Sequence, residues 1–196
     1  MKIAVFWGLV VAGVFAGVTS LSAANPYADA RATVRRMVDI SGGKCSAVVI
    51  APGVALTAKH CTDAMPAQVD GLDVKSHASH PTQDVSRLTV PGLKCPCAAL
   101  GTVRPTPDEA IAALGYLYGD ALITSRGEYL EQVLNTDDSQ TYGLFMGNLG
   151  PGMSGGGVFR IFLTGEVKLV GILSAMGKQG FPGLYVELDT LKVKSW

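Results

Sequence analysis

Short apolar runs follow one another along most of the chain, each closed by Gly, Pro, Asp or Asn. They lie at 33–40, 45–51, 54–58, 85–90, 97–103, 110–117, 120–125, 128–134, 140–146, 157–163, 166–174 and 183–188. Each is 5–9 residues long, and most are rich in Val, Ile, Leu, Thr and Tyr. Several alternate apolar and polar positions, as Glu166-Val-Lys-Leu-Val does, the pattern of a strand with one wet face. The 3.6-residue helical period is hard to find over any window of a dozen residues. Some twelve short strands separated by turn residues predict an all-β sandwich or a pair of barrels. Val103–Asp108 carries two prolines and reads as a linker between two halves. No internal repeat or low-complexity tract interrupts the series.

One run differs. Residues 1–24 hold 17 apolar residues and a single charge, Lys2, with Ile3–Val18 free of charge. A basic start, an apolar core and the small residues Thr-Ser-Leu-Ser-Ala-Ala make a secretory signal peptide. Cleavage after Ala24 puts Ser22 and Ala24 at the two small positions. The alternative is a retained membrane anchor, for which a run of sixteen uncharged residues is a little short. Either form delivers the remaining chain outside the cytoplasm, secreted, periplasmic or anchored, where disulfides can form.

Composition narrows the function. Of 196 residues, 48% are apolar and 16% charged, with a formal net charge of zero. Balanced charge argues against nucleic acid as a partner, because phosphate binding needs a basic excess. The hydrophobic content argues against disorder. The chain after the leader is long enough for one good-sized domain or two small barrels.

Three segments carry chemistry. Leu56-Thr-Ala-Lys-His60-Cys61 follows a strand-like run, and Asp84 opens another. Gly150-Pro-Gly-Met-Ser154-Gly-Gly-Gly157 sets a serine among glycines; five of the 24 glycines lie in these eight residues. A hydroxyl is a poor nucleophile until an imidazole removes its proton. That imidazole needs an acid to fix its tautomer and stabilise its charge. Glycines let the backbone bend so that amide N–H groups converge on a developing oxyanion.

In this order the segments resemble those of the trypsin-like, chymotrypsin-fold serine proteases. Cys45-Ser-Ala-Val-Val-Ile…Leu-Thr-Ala-Lys-His-Cys61 resembles the family's strand–turn–strand with its Ala-His-Cys ending. Gly152-Met-Ser-Gly-Gly156 resembles its Gly-x-Ser-Gly-Gly loop, and Gly171-Ile-Leu-Ser174 the strand that pairs with substrate. Phe181-Pro-Gly-Leu-Tyr-Val186 resembles its Pro-Gly-Val-Tyr strand. The resemblance implies two six-stranded antiparallel β-barrels, over 25–104 and 105–196, with the active site in the cleft between them. It implies His60 as general base, Asp84 as its orienting acid and Ser154 as nucleophile. The N–H groups of Gly152 and Ser154 would form the oxyanion hole. It further implies peptide-bond hydrolysis through an acyl-enzyme, on a protein or peptide substrate and with no cofactor.

The same resemblance implies a Cys45–Cys61 disulfide beside His60, worth about 3 kcal/mol for such a loop in the chain-entropy model. Cys95 and Cys97 are left to a local bridge, free thiols or a bridge to another chain. His77-x-x-His80 with Cys95-Pro-Cys97 offers zinc-type ligands, but Cys-x-Cys is too tight for most structural zinc sites, so no metal is expected.

Departures from the family shape the remaining expectations. Met153 stands where many animal members carry the aspartate that receives a freed N-terminus, so the serine loop should be preorganised on folding, as in compact bacterial and viral members. Asn148 stands where trypsins have their pocket-base aspartate, Ser174, Ala175 and Met176 would form a wall with a side chain where trypsins have Gly, and Gly183 would line the pocket. A neutral amide cannot pair a basic side chain, so a small or medium uncharged P1 residue is expected. The rival is a catalytically inactive protease-like binding protein; a third reading is an esterase using the same triad.

Overall fold

The computed structural model describes residues 25–135, 139–175 and 182–188. After a single helical turn at Ala28–Arg31 the described chain is β throughout, apart from one 3-10 turn at Lys59–Thr62. Two antiparallel sheets share the molecule.

The first contains β1 (Val34–Asp39), β2 (Lys44–Ala51), β3 (Val54–Thr57), β4 (Pro66–Val69), β5 (Leu72–Asp73), β6 (Ser76–Ser79) and β7 (Ser86–Thr89), in the order β5-β4-β1-β2-β3-β7-β6. Its centre is β2, where Ser46, Ala47, Val48 and Val49 are fully buried. The edges, β5 and β6, are consecutive in sequence with only two residues between them. Two residues bridge no more than about 10 Å, so the chain holds the two edges near each other and the seven-stranded sheet curls into a half-barrel.

The second contains β8 (Ala110–Leu117), β9 (Ala121–Asn135), β10 (Gln140–Met146), β11 (Gly157–Ile161), β12 (Val167–Ala175) and β13 (Gly183–Glu187), closed in the order β10-β13-β12-β11-β8-β9. A core of Ile111, Phe145, Met153, Val158, Leu173 and Tyr185 fills it. Met37, Ala47, Val49, Ala55, Val69 and Leu88 fill the first. A third cluster joins the two halves, packing Val48, Leu56 and Val85 with Leu114, Phe159 and Ile172.

The double barrel agrees with the sequence expectation, while several strand limits do not. The runs 120–125 and 128–134 are one strand, β9. Gly127, which reads as a break, instead lets β10 cross closely: a Cβ there would stand 1.8 Å from the Met146 carbonyl oxygen. The run 97–103 is no strand, and Leu100 makes an isolated parallel bridge to Leu169. β4, β5 and β6 gave no apolar run, because they are short and β6 is exposed along its whole length. Residues 1–24 lie outside the described residues. Among those described, no helix is long and apolar enough to cross a membrane.

Candidate active site

Strand pairing brings the first two chemical segments together. β3 and β7 run antiparallel with Thr57 opposite Ser86, so the end of one lies beside the start of the other. His60 follows β3 in the 3-10 turn, and Asp84 lies two residues before β7. The turn is pinned from both sides. The Thr62 hydroxyl donates to the Lys59 carbonyl at 2.7 Å and bonds the Ser86 hydroxyl. Cys61 is bonded to Cys45 at the start of β2, with Cα atoms 6.2 Å apart.

Asp84 is nearly buried and accepts three hydrogen bonds. The His60 backbone N–H donates to Oδ1 at 2.9 Å, and Nδ1 of the His60 ring lies 2.8 Å from Oδ2. The Ser174 hydroxyl donates to Oδ2 as well. Burial pushes the Asp84 pKa up, but the bonds from the His60 ring, the Ser174 hydroxyl and the His60 N–H outweigh it, and the net shift is downward. The bond to Asp84 raises the His60 pKa, against an opposing effect of burial. An ionised carboxylate on Nδ1–H leaves Nε2 of the neutral ring as the acceptor.

The serine loop lies between β10 and β11 and leans on both barrels. Gly152 has φ +88° and Gly155 φ +81°, backbone shapes that glycine adopts without strain. Space demands glycine too. A Cβ on Gly152 would stand 2.6 Å from the Tyr116 carbonyl oxygen, and one on Gly155 2.1 Å from that of Ser46. The N–H groups of Met153, Gly155 and Gly156 donate to the carbonyls of Gly150, Leu173 and Met153. Those of Gly152 and Ser154 have no acceptor among the described residues. The Ser154 hydroxyl donates to the Ser174 carbonyl at 3.2 Å, not to the His60 ring.

A hollow of about 70 Å³ opens beside Ser154, lined by Leu149, Gly150, Pro151, Met153, Leu173 and Ala175. Of the expected wall residues, Ala175 lines it. Asn148 does not line it, and the Ser174 side chain is turned to Asp84. Leu149 takes the wall position instead. Gly183 lies behind Leu149, whose Cδ1 would be 2.1 Å from a Cβ at that position. Met176 lies outside the described residues. No single residue type marks Leu149 for this role in sequence; its neighbour Asn148 carried the alignment instead.

The other candidate ligands are otherwise engaged. Cys95 and Cys97 are bonded to each other, with Cα atoms 4.5 Å apart, so their thiols cannot hold zinc. His77 is exposed on β6. Cys45, His60 and Cys61 bring three possible ligand atoms together, yet both sulfurs are already in the disulfide.

Comparison with known proteins identifies the family. The family model described as a trypsin-like peptidase domain matches residues 45–172. No curated protein matches the chain. Among solved structures, the active form of the Rv3671c protease from M. tuberculosis is similar, with TM-score 0.73, 16% identity and cover of 98% of this chain and 92% of that one. The HtrA-type protease AlgW with a tripeptide gives TM-score 0.70 at 22% identity, covering 87% of this chain and 62% of that one. The serine endoprotease from Yersinia pestis gives 0.68 at 17% identity, covering 86% and 63%. At these identities the structural likeness shows the fold.

Proposed function

The chain belongs to the trypsin-like peptidase family and is a serine endopeptidase; we propose that it cleaves through His60, Asp84 and Ser154. The observation that carries this assignment is the Asp84 carboxylate gripping the His60 backbone N–H and the ring Nδ1, which leaves Nε2 open. On substrate binding the Ser154 hydroxyl turns from the Ser174 carbonyl to Nε2 of His60. A side-chain rotation of this kind takes picoseconds to nanoseconds. His60 takes the proton as Oγ attacks the scissile carbonyl, and the unclaimed N–H groups of Gly152 and Ser154 receive the oxyanion. His60 then gives the proton to the leaving amine. Water, activated by the same imidazole, releases the acyl group. Asp84 stays ionised and stabilises the imidazolium without taking its proton.

The substrate is a peptide or protein. The small apolar hollow walled by Leu149 and Met153 favours a short aliphatic P1 side chain and, among the described residues, offers no charge to a basic one. Residues 1–24 act as the export leader, and two disulfides suit a protein that works outside the cytoplasm.

Profiling cleavage of a peptide library by residues 25–196, with Ser154→Ala as control, tests the reading. Cleavage after small aliphatic residues, absent in the variant, supports it. Dominant cleavage after Lys or Arg overturns the pocket assignment, and equal cleavage by the variant overturns the nucleophile.

A further inference from the structure

The serine loop carries Met153 where a zymogen-type ion pair would need an acid, so other contacts must hold its shape. Met153 itself is one: its side chain is 2% exposed in the core of the second barrel, with Ile111, Phe145, Leu173 and Tyr185. That burial fixes the loop's depth, but not the rotation of the peptide planes on either side.

Ser46 reaches those planes. It is fully buried in β2 of the first barrel, one residue after the disulfide-bonded Cys45. Its hydroxyl donates to the Gly152 carbonyl at 2.8 Å and accepts the Tyr116 N–H at 2.8 Å. The accepted bond fixes which way the hydroxyl proton can point. Its backbone N–H donates to the Ser154 carbonyl at 2.8 Å, and its own carbonyl accepts the Thr57 hydroxyl at 2.7 Å. Every polar group of Ser46 is thus satisfied, and two of the four bonds go to the serine loop.

The positions of those two bonds matter. The Gly152 carbonyl belongs to the peptide plane between residues 152 and 153, which separates the plane bearing the Gly152 N–H from the one bearing the Ser154 N–H. The Ser154 carbonyl belongs to the plane immediately after. Ser46 therefore grips the planes on both sides of the Ser154 N–H. A peptide plane cannot rotate without changing the dihedrals of its neighbours.

We propose that Ser46 is a positioning residue, whose hydroxyl holds the Gly152 carbonyl so that the N–H groups of Gly152 and Ser154 are aimed at the oxyanion before substrate arrives. This rests on the peptidase reading above. One residue of the His60-bearing barrel thereby sets the geometry of the Ser154-bearing loop, across the cleft. Donors fixed in advance need no reorganisation as charge develops.

The test is kinetic. Losing one oxyanion donor outright costs about 100- to 1,000-fold in kcat, so releasing the plane between two donors should cost Ser46→Ala about 10- to 100-fold. KM should stay within about twofold, because ground-state binding does not use the oxyanion site. The affinity of a peptide aldehyde, which forms the tetrahedral oxyanion, should fall with kcat, while that of a product peptide should not. Ser46→Thr, which keeps the hydroxyl, should restore most of the activity. Ser46→Cys, near-isosteric but a weak donor, supplies the same comparison if the alanine variant does not fold.

A lowered melting temperature with unchanged kcat would make Ser46 merely structural and overturn the proposal. An equal loss of aldehyde and product-peptide affinity would do so as well, since it marks a binding defect. An inactive wild-type protein overturns the peptidase reading itself, and the positioning role with it.

Discussion

The Ser174 hydroxyl donates to the same Asp84 oxygen that lies against Nδ1 of the His60 ring. That oxygen therefore divides its charge between two donors. The Ser174 carbonyl meanwhile accepts the Ser154 hydroxyl, so one residue touches both Asp84 and Ser154.

Removing the Ser174 hydroxyl should strengthen the remaining pull of Asp84 on the imidazolium. In Ser174→Ala the His60 pKa should rise, and the acid limb of kcat/KM should move to higher pH. A lost hydrogen bond to a buried charge corresponds to about tenfold in kcat/KM at pH 7. A pH–rate profile of the two proteins checks this. An unshifted acid limb would mean that Ser174 does not tune the pair.

Activity and stability should respond to pH in opposite directions. His60 must be neutral to accept the Ser154 proton, and its pKa lies above the ordinary value. The rate kcat/KM should therefore rise through one ionisation with a midpoint above about 6.5. For stability, a raised imidazole pKa contributes fully below the unfolded value and is lost as pH rises through the folded one. The lowered Asp84 pKa contributes above the unfolded carboxyl value and is lost as pH falls through the folded one. The pair thus stabilises most between about pH 4 and 6.5, below the range of best activity. Thermal melts of wild type and His60→Gln from pH 4 to 9 isolate this contribution. An activity midpoint below 6.5 would contradict the His60–Asp84 coupling.

Leu149 limits the hollow beside Ser154 and fills the space that Gly183 leaves. Leu149→Ala should open the hollow toward Gly183 and move P1 preference from short to longer apolar residues. A single methylene in such a pocket changes the rate ratio by about 10- to 200-fold, so the switch should be plain in competition between Ala and Leu substrates. An unchanged ratio would mean that P1 binds elsewhere.

Much of this site was legible because its chemistry sits in short local patterns. Cys45, His60, Asp84 and the glycines around Ser154 each lie in a segment whose residue types are demanded by the backbone or the reaction. β2 and β8 were legible for a similar reason: their middles are buried, and their apolar runs coincide with the strands. β6 was not, since Ser-His-Ala-Ser has no apolar face to announce it. Ser174 and Leu149 show a different limit. Along a strand or loop, sequence order does not say which side chain turns toward a carboxylate and which toward a hollow. Those directions come from packing, as with Leu149 over Gly183 and Ser174 against Asp84.

On the proposed mechanism Ser154 is a nucleophile made reactive by His60. Labelling residues 25–196 with a fluorophosphonate, followed by mass mapping of the modified peptide, tests it most directly. One label per molecule on Ser154 is expected, lost in Ser154→Ala and strongly slowed in His60→Ala. Labelling of Ser154→Ala as fast as the wild type, or a label on another residue, would contradict the account.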